Sequence, residues 1–187
     1  MKNPYLYGYL PLFTILLFSL TFGMYTVGIS LDFLTSIGIY SGMREFLTDF
    51  ELRVLLLIVF TLCFFMIFSA LKLIGETIHE VGMLLFSKDQ KGETISVARG
   101  GYVIFFFGSL VSSFGIQSFT VLITIFLLTV FIYFIYNMYK MSQFLTMSGT
   151  VGLLVYEILF WSILMTLIMY VVLKLFNGIL ASLPFAN

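Results

Sequence analysis

Thr150–Leu173 reads TVGLLVYEILFWSILMTLIMYVVL, and its only charged residue is Glu157. A helix rises 1.5 Å per residue, so a stretch of this length crosses a hydrocarbon core of about 30 Å. An ionisable group at that depth is costly. It is normally paired, and it marks a functional site by default.

The rest of the chain agrees with that reading. Of its 187 residues, 61% are hydrophobic and only 10% charged, and the mean hydropathy is +1.13. Soluble domains run nearer about 25% charged. The sequence therefore describes an all-α integral membrane protein forming a single domain over residues 1–187. Net charge is zero and no basic patch occurs, which argues against a nucleic-acid partner. Cys63 is the single cysteine and lies inside an apolar run, so no intrachain disulfide can form and a small packing residue is expected there.

Five spans are expected, at about 10–29, 52–74, 101–116, 119–139 and 150–173. The first apolar run, Leu10–Ile29, exceeds the core of about 7–15 residues typical of a secretory signal, and it reads as a retained signal-anchor. Between the first two spans, Met43, Phe46, Leu47 and Phe50 recur at helical spacing, predicting a short interfacial helix. Thr48-Asp49-Phe50-Glu51 is a capping box with Leu47 and Leu52 as its hydrophobic staple. The second helix is predicted to run on past the membrane. Leu71, Ile74, Ile78, Val81 and Leu85 keep one apolar face, while Lys72, Glu76, His79 and Glu80 occupy another, and Ser87–Glu93 closes it in a solvated turn.

Gly101–Tyr139 carries no charge and is too long for one span, so it is divided at Gly115-Ile116-Gln117-Ser118. Gly101, Gly108 and Gly115 lie seven apart, and Gly108/Ser112 and Ser109/Ser113 form small-xxx-small pairs, the pattern of closely packed membrane helices. Six of the nine basic residues (Lys2, Lys72, Lys88, Lys91, Arg99 and Lys140) fall on one side of a five-span topology. That bias places the N-terminus in the cytoplasm and the C-terminus outside.

In this topology Glu157 shares a leaflet with Ser69 and Lys72 of the second span and with Tyr133 and Asn137 of the fourth. A Lys72–Glu157 ion pair, assisted by Asn137 or Tyr133, is the economical way to satisfy the carboxylate. Otherwise it would hold its proton, because apolar surroundings disfavour a charged form. A second candidate is Glu76-Thr77-Ile78-His79-Glu80, where Glu76 and His79 have the E-x-x-H spacing of metal ligands on one helix face. The chain has one histidine, so a di-iron bundle cannot be built, and zinc chemistry usually wants three ligands. These residues are expected on a solvated helix face, with Lys72 and Glu76 as an i, i+4 pair. No nucleophile elbow, aspartyl dyad or phosphate-cradling loop is present, so neither an enzyme nor a bound cofactor or metal is expected.

Lys2-Asn3-Pro4-Tyr5-Leu6, Ser69-Ala70-Leu71-Lys72-Leu73-Ile74, Phe86-Ser87-Lys88-Asp89, Tyr156-Glu157-Ile158-Leu159-Phe160-Trp161 and Ala181-Ser182-Leu183-Pro184 resemble the YufK family across essentially the whole chain. Its members are small multi-spanning proteins of spore-forming Gram-positive bacteria. The resemblance implies a plasma-membrane location and no particular activity. The expectation is a non-enzymatic accessory or interaction component whose partners are the lipid bilayer and a membrane-embedded protein or a second copy. The alternative is a small oligomeric transporter or channel that handles protons or cations at Glu157.

Overall fold

The computed structural model describes residues 4–87 and 99–182, with side chains at 8–87 and 100–178. Among the described residues every regular element is helical: α1 (Pro4–Ser36), α2 (Ile39–Met43), α3 (Asp49–Phe86), α4 (Tyr102–Ser112), α5 (Phe119–Met141) and α6 (Met147–Ser182), with single 3₁₀ turns at Arg99–Gly101, Ser113–Gly115 and Ser142–Phe144. Among the described residues, four helices are long and apolar enough to cross a membrane: Gly8–Ser36, Asp49–Phe86, Phe119–Phe144 and Met147–Gly178. The third expected span corresponds to the shorter apolar stretch Tyr102–Gly115.

The chain forms two compact units. One is Met1–Gly75 with Asp89–Phe144, and the other is Glu76–Lys88 with Leu145–Asn187. α3 contributes to both.

In the first unit, Phe18 and Phe22 of α1, Phe68 of α3 and Leu122 of α5 form an aromatic core, joined by Phe64, Phe105 and Phe126. The Phe18–Phe126 and Phe22–Phe68 rings meet edge to face, the arrangement the ring quadrupole favours. α4 fits between α1 and α5 through its small residues. Its heptad glycines all turn toward α5: Gly101 to Tyr133 and Asn137, Gly108 to Thr129, Gly115 to Val121 and Ile125. Its buried Ser112 turns to α1, where the hydroxyls of Ser112 and Thr21 lie 3.1 Å apart. The division of Gly101–Tyr139 falls where the sequence puts it, since Ser118 is extended and its N–H bonds Gly115 O before α5 starts.

The capping box is also formed. Glu51 N–H donates to Thr48 Oγ1 and Thr48 N–H to Glu51 Oε2, while Leu47 packs on the cluster of Val27, Leu31 and Leu52. The interfacial helix differs from its prediction. α2 spans only Ile39–Met43, entered through Gly38 at φ 75. Tyr40 and Met43 pack inward, but Phe46 is 86% exposed, because the helix ends before Phe46 and Phe50 can join that face. In the same connection Tyr40 donates to Asp49, and this bond to a carboxylate holds the phenol above its ordinary range.

The solvated turn read at Ser87–Glu93 lies, from Lys88 onward, outside the described residues. So do Lys2, Lys91 and the C-terminal Leu183–Asn187.

In the second unit the last three turns of α3 pack on the first turns of α6. Thr146 starts α6 by accepting the Gly149 N–H on its hydroxyl. Glycines then let the two backbones close up. A Cβ on Gly82 would lie 2.5 Å from Leu153 Cδ1, and one on Gly152 would lie 2.6 Å from Phe86 Cε1. Leu153 and Ile78 are buried in this contact.

Candidate functional site

The close approach of α3 and α6 fixes which side chains stand level. Phe86 lies against Gly149 and Gly152, and Gly82 against Leu153 and Tyr156, so the two segments run antiparallel. Seven residues back from Phe86 is His79. Five residues on from Gly152 is Glu157. Their side chains meet, with His79 Nδ1 2.7 Å from Glu157 Oε1.

The pair is well sheltered. The Glu157 side chain is 7% exposed and that of His79 is 20% exposed. A carboxylate has no hydrogen to give, so with Glu157 ionised the bonding hydrogen belongs to Nδ1. The remaining ring nitrogen, Nε2, then carries a lone pair. Nε2 is buried and has no hydrogen-bond partner among the described residues. The arrangement is a carboxylate-oriented imidazole, in which one partner fixes the tautomer and ring plane and the other nitrogen stays unbonded among the described residues.

This revises the placement of His79, which the charge pattern of α3 assigns to a solvated face. Helical spacing records which residues share a face, but the neighbour supplied by α6 decides whether that face meets water.

Three of the other sequence candidates lie in the first unit. Lys72 extends its ammonium over the Tyr102 ring, 5.8 Å from the centroid. Tyr133 packs its ring against Phe105 at 4.7 Å. Asn137 is 6% exposed, and its Oδ1 is without a hydrogen-bond partner among the described residues. Thus Lys72, Tyr133 and Asn137 surround the start of α4, while Glu157 has His79 as its partner within its own unit. Glu76 is half-buried on α3 of the second unit. No group of three His, Cys, Asp or Glu side chains placed to hold a metal ion occurs among the described residues.

The model of a family of unknown function, DUF5366, matches residues 27–184. This chain belongs to that family. It is also 36% identical over 184 residues to the "Uncharacterized membrane protein YufK" of Bacillus subtilis (strain 168), covering 98% of this chain and 100% of that protein. The YufK-family resemblance and the membrane character read from the sequence are therefore shown. No solved structure matches the chain. The stretch matched to DUF5366 takes in His79 and Glu157, together with Lys72, Tyr133 and Asn137.

Proposed function

We propose that this protein is a non-enzymatic, multi-pass component of the bacterial plasma membrane, and that its working element is the His79–Glu157 pair, acting as a proton-binding site in a small transporter or channel. One observation carries the reading: a carboxylate sheltered on α6 bonds the only histidine of the chain and leaves its Nε2 buried and unbonded among the described residues. Histidine is the side chain whose ordinary titration falls nearest neutrality, so it is suited to binding and releasing protons in a cell. The topology consistent with this reading has a cytoplasmic N-terminus and an external C-terminus, following the basic-residue bias.

An oligomeric assembly suits the proposal, since a single copy has few helices with which to line a path. From Ile163 to Phe176, α6 exposes apolar side chains that lipid or a second copy would cover.

A second reading is favoured by the glycines at Gly82 and Gly152: the pair is a static clasp that holds two closely packed helices. Proton flux separates the two. Purified protein is reconstituted in vesicles enclosing a pH-sensitive dye, and an outward or inward proton gradient is imposed. The proposal expects flux that falls at least tenfold in Glu157→Gln and His79→Gln while both variants reach wild-type abundance in the membrane. Flux equal to that of empty vesicles, or unchanged flux in both variants, overturns it and leaves the clasp.

A further inference from the structure

Three features meet where α4 begins. Gly101, the N-cap of α4, closes the 3₁₀ turn Arg99–Gly101 that leads into the helix, and neither it nor Gly100 brings a side chain to cap amide N–H groups at this positive end. Asn137 of α5, buried and without a partner for its Oδ1 among the described residues, aims that oxygen at this turn: it lies 3.1 Å from the position a Cβ on Gly101 would take. Around them stand two lysines and a phenol. Lys72 Nζ is 5.8 Å from the Tyr102 ring centroid, and Lys140 Nζ is 5.9 Å from that of Tyr136. The Tyr136 hydroxyl in turn lies 2.8 Å from the place of a Cβ on Gly100.

Each feature asks for something different. The helix terminus and the two ammonium groups favour an anion with several acceptor oxygens. The Asn137 oxygen needs a donor, because a buried amide left unbonded is unfavourable. A phosphodiester flanked by hydroxyl groups meets both demands at once. An ethanolamine headgroup would also donate, but it brings a positive charge toward two lysines. The elements that hold the site point to a lipid source, since α3 and α5 are long and apolar enough to cross a membrane. Phe107 and Val111 of α4, with Ile132 and Ile135 of α5, expose apolar surface along which acyl chains can lie. Basic groups between membrane helices are a recurrent setting for anionic headgroups.

We propose that the start of α4, with Asn137, Lys72 and Lys140, binds the headgroup of a phosphatidylglycerol-type lipid, its phosphate on the α4 N-terminus and the lysines and a glycerol hydroxyl donating to Asn137 Oδ1.

Native mass spectrometry of the full chain tests this directly. The protein is released from mixed micelles holding equal mole fractions of phosphatidylglycerol, phosphatidylethanolamine and phosphatidylcholine, with and without excess inorganic phosphate. Phosphatidylglycerol is expected to stay bound in preference to the other two and to resist added phosphate. Lys140→Gln and Lys72→Gln should each lower its retention about fivefold, and Asn137→Leu should lower it by a similar factor. Lys140 is half-exposed, so the Lys140→Gln result stands even if Asn137→Leu does not fold. Equal retention of the three lipids, or retention unchanged in both lysine variants, overturns the proposal. Displacement by inorganic phosphate alone also overturns it and reassigns the site to the free anion.

Discussion

His79 Nδ1 lies 2.7 Å from Glu157 Oε1 across 78 positions of sequence, and this bond ties the end of α3 to the start of α6. A hydrogen bond to a charged group contributes about 1.5–3 kcal/mol in water-soluble proteins, whereas interhelical bonds in membranes average nearer about 0.6 kcal/mol. The shelter of Glu157 favours a value between these. In a double-mutant cycle of His79→Ala and Glu157→Ala, unfolded in mixed micelles, we expect a coupling of about 1–2 kcal/mol. Additive single-variant effects would show that the two side chains do not support each other.

The same contact depends on glycine. At Gly82 a methyl group would press on Leu153, which is fully buried, and on the Tyr156 ring at 3.1 Å. At Gly152 it would press on the Phe86 ring. Gly82→Ala and Gly152→Ala should each destabilise by about 1–3 kcal/mol, the usual cost of overpacking. Gly28→Ala is the control, because nothing lies within 4 Å of a Cβ there. Thermal unfolding of the three variants in one detergent measures the difference, and equal midpoints for all three would refute the close packing.

These contacts also show what could be read ahead of the structure. Helix identity followed from apolar length, and the α4–α5 turn followed from Gly115–Ser118, because both are local properties. The heptad glycines of α4 were legible as packing residues, since positions seven apart return to one helix face. The partner of Glu157 was not. Lys72, Glu76 and Glu80 flank His79 in the helical pattern and give its face a solvated look, while the residues that cover it, on α6, lie far away in sequence. Phe46 and Phe50 fell outside the packed face for a related reason: their spacing is helical, but Gly38 and the end of α2 at Met43 confine the helix to one short piece.

The Tyr40–Asp49 bond leads to a pH prediction. The phenol is held above its ordinary range chiefly by donating to Asp49, with the nearby carboxylate charge acting in the same direction. A group whose folded pKa is raised contributes stability that is complete below its unfolded value, about 10 for tyrosine, and is lost as pH climbs through the folded value. The connection between α1 and α3 should therefore loosen in strongly alkaline solution, and also in acid, because the same bond holds the Asp49 carboxyl below its ordinary range. Asp49→Asn removes the charged acceptor, so one tyrosine should ionise at lower pH than in the wild type. Ultraviolet difference titration near the phenolate band follows this change, and superimposable curves would show that Asp49 does not hold Tyr40.

Thr21 and Ser112 allow the packing of α1 on α4 to be tested without any assumption about function. Their hydroxyl oxygens lie 3.1 Å apart, each also hydrogen-bonded to its own helix, Thr21 to Phe18 O and Ser112 to Ser109 O. Side chains fixed in this way have little freedom to point elsewhere, so cysteines placed at the two positions should bring their sulfur atoms within bonding reach. Cys63, exposed on α3, is first changed to alanine to remove the native thiol. Thr21→Cys with Ser112→Cys should then form an intramolecular disulfide under mild oxidation in native membranes, seen as a reducible mobility shift after proteolysis between the helices. A pair of Thr21→Cys with Thr124→Cys serves as the comparison, because Thr124 is exposed on α5 and bonds only Thr120 O of its own helix. Crosslinking of the comparison pair as fast as the Thr21–Ser112 pair would rule out the α1–α4 contact.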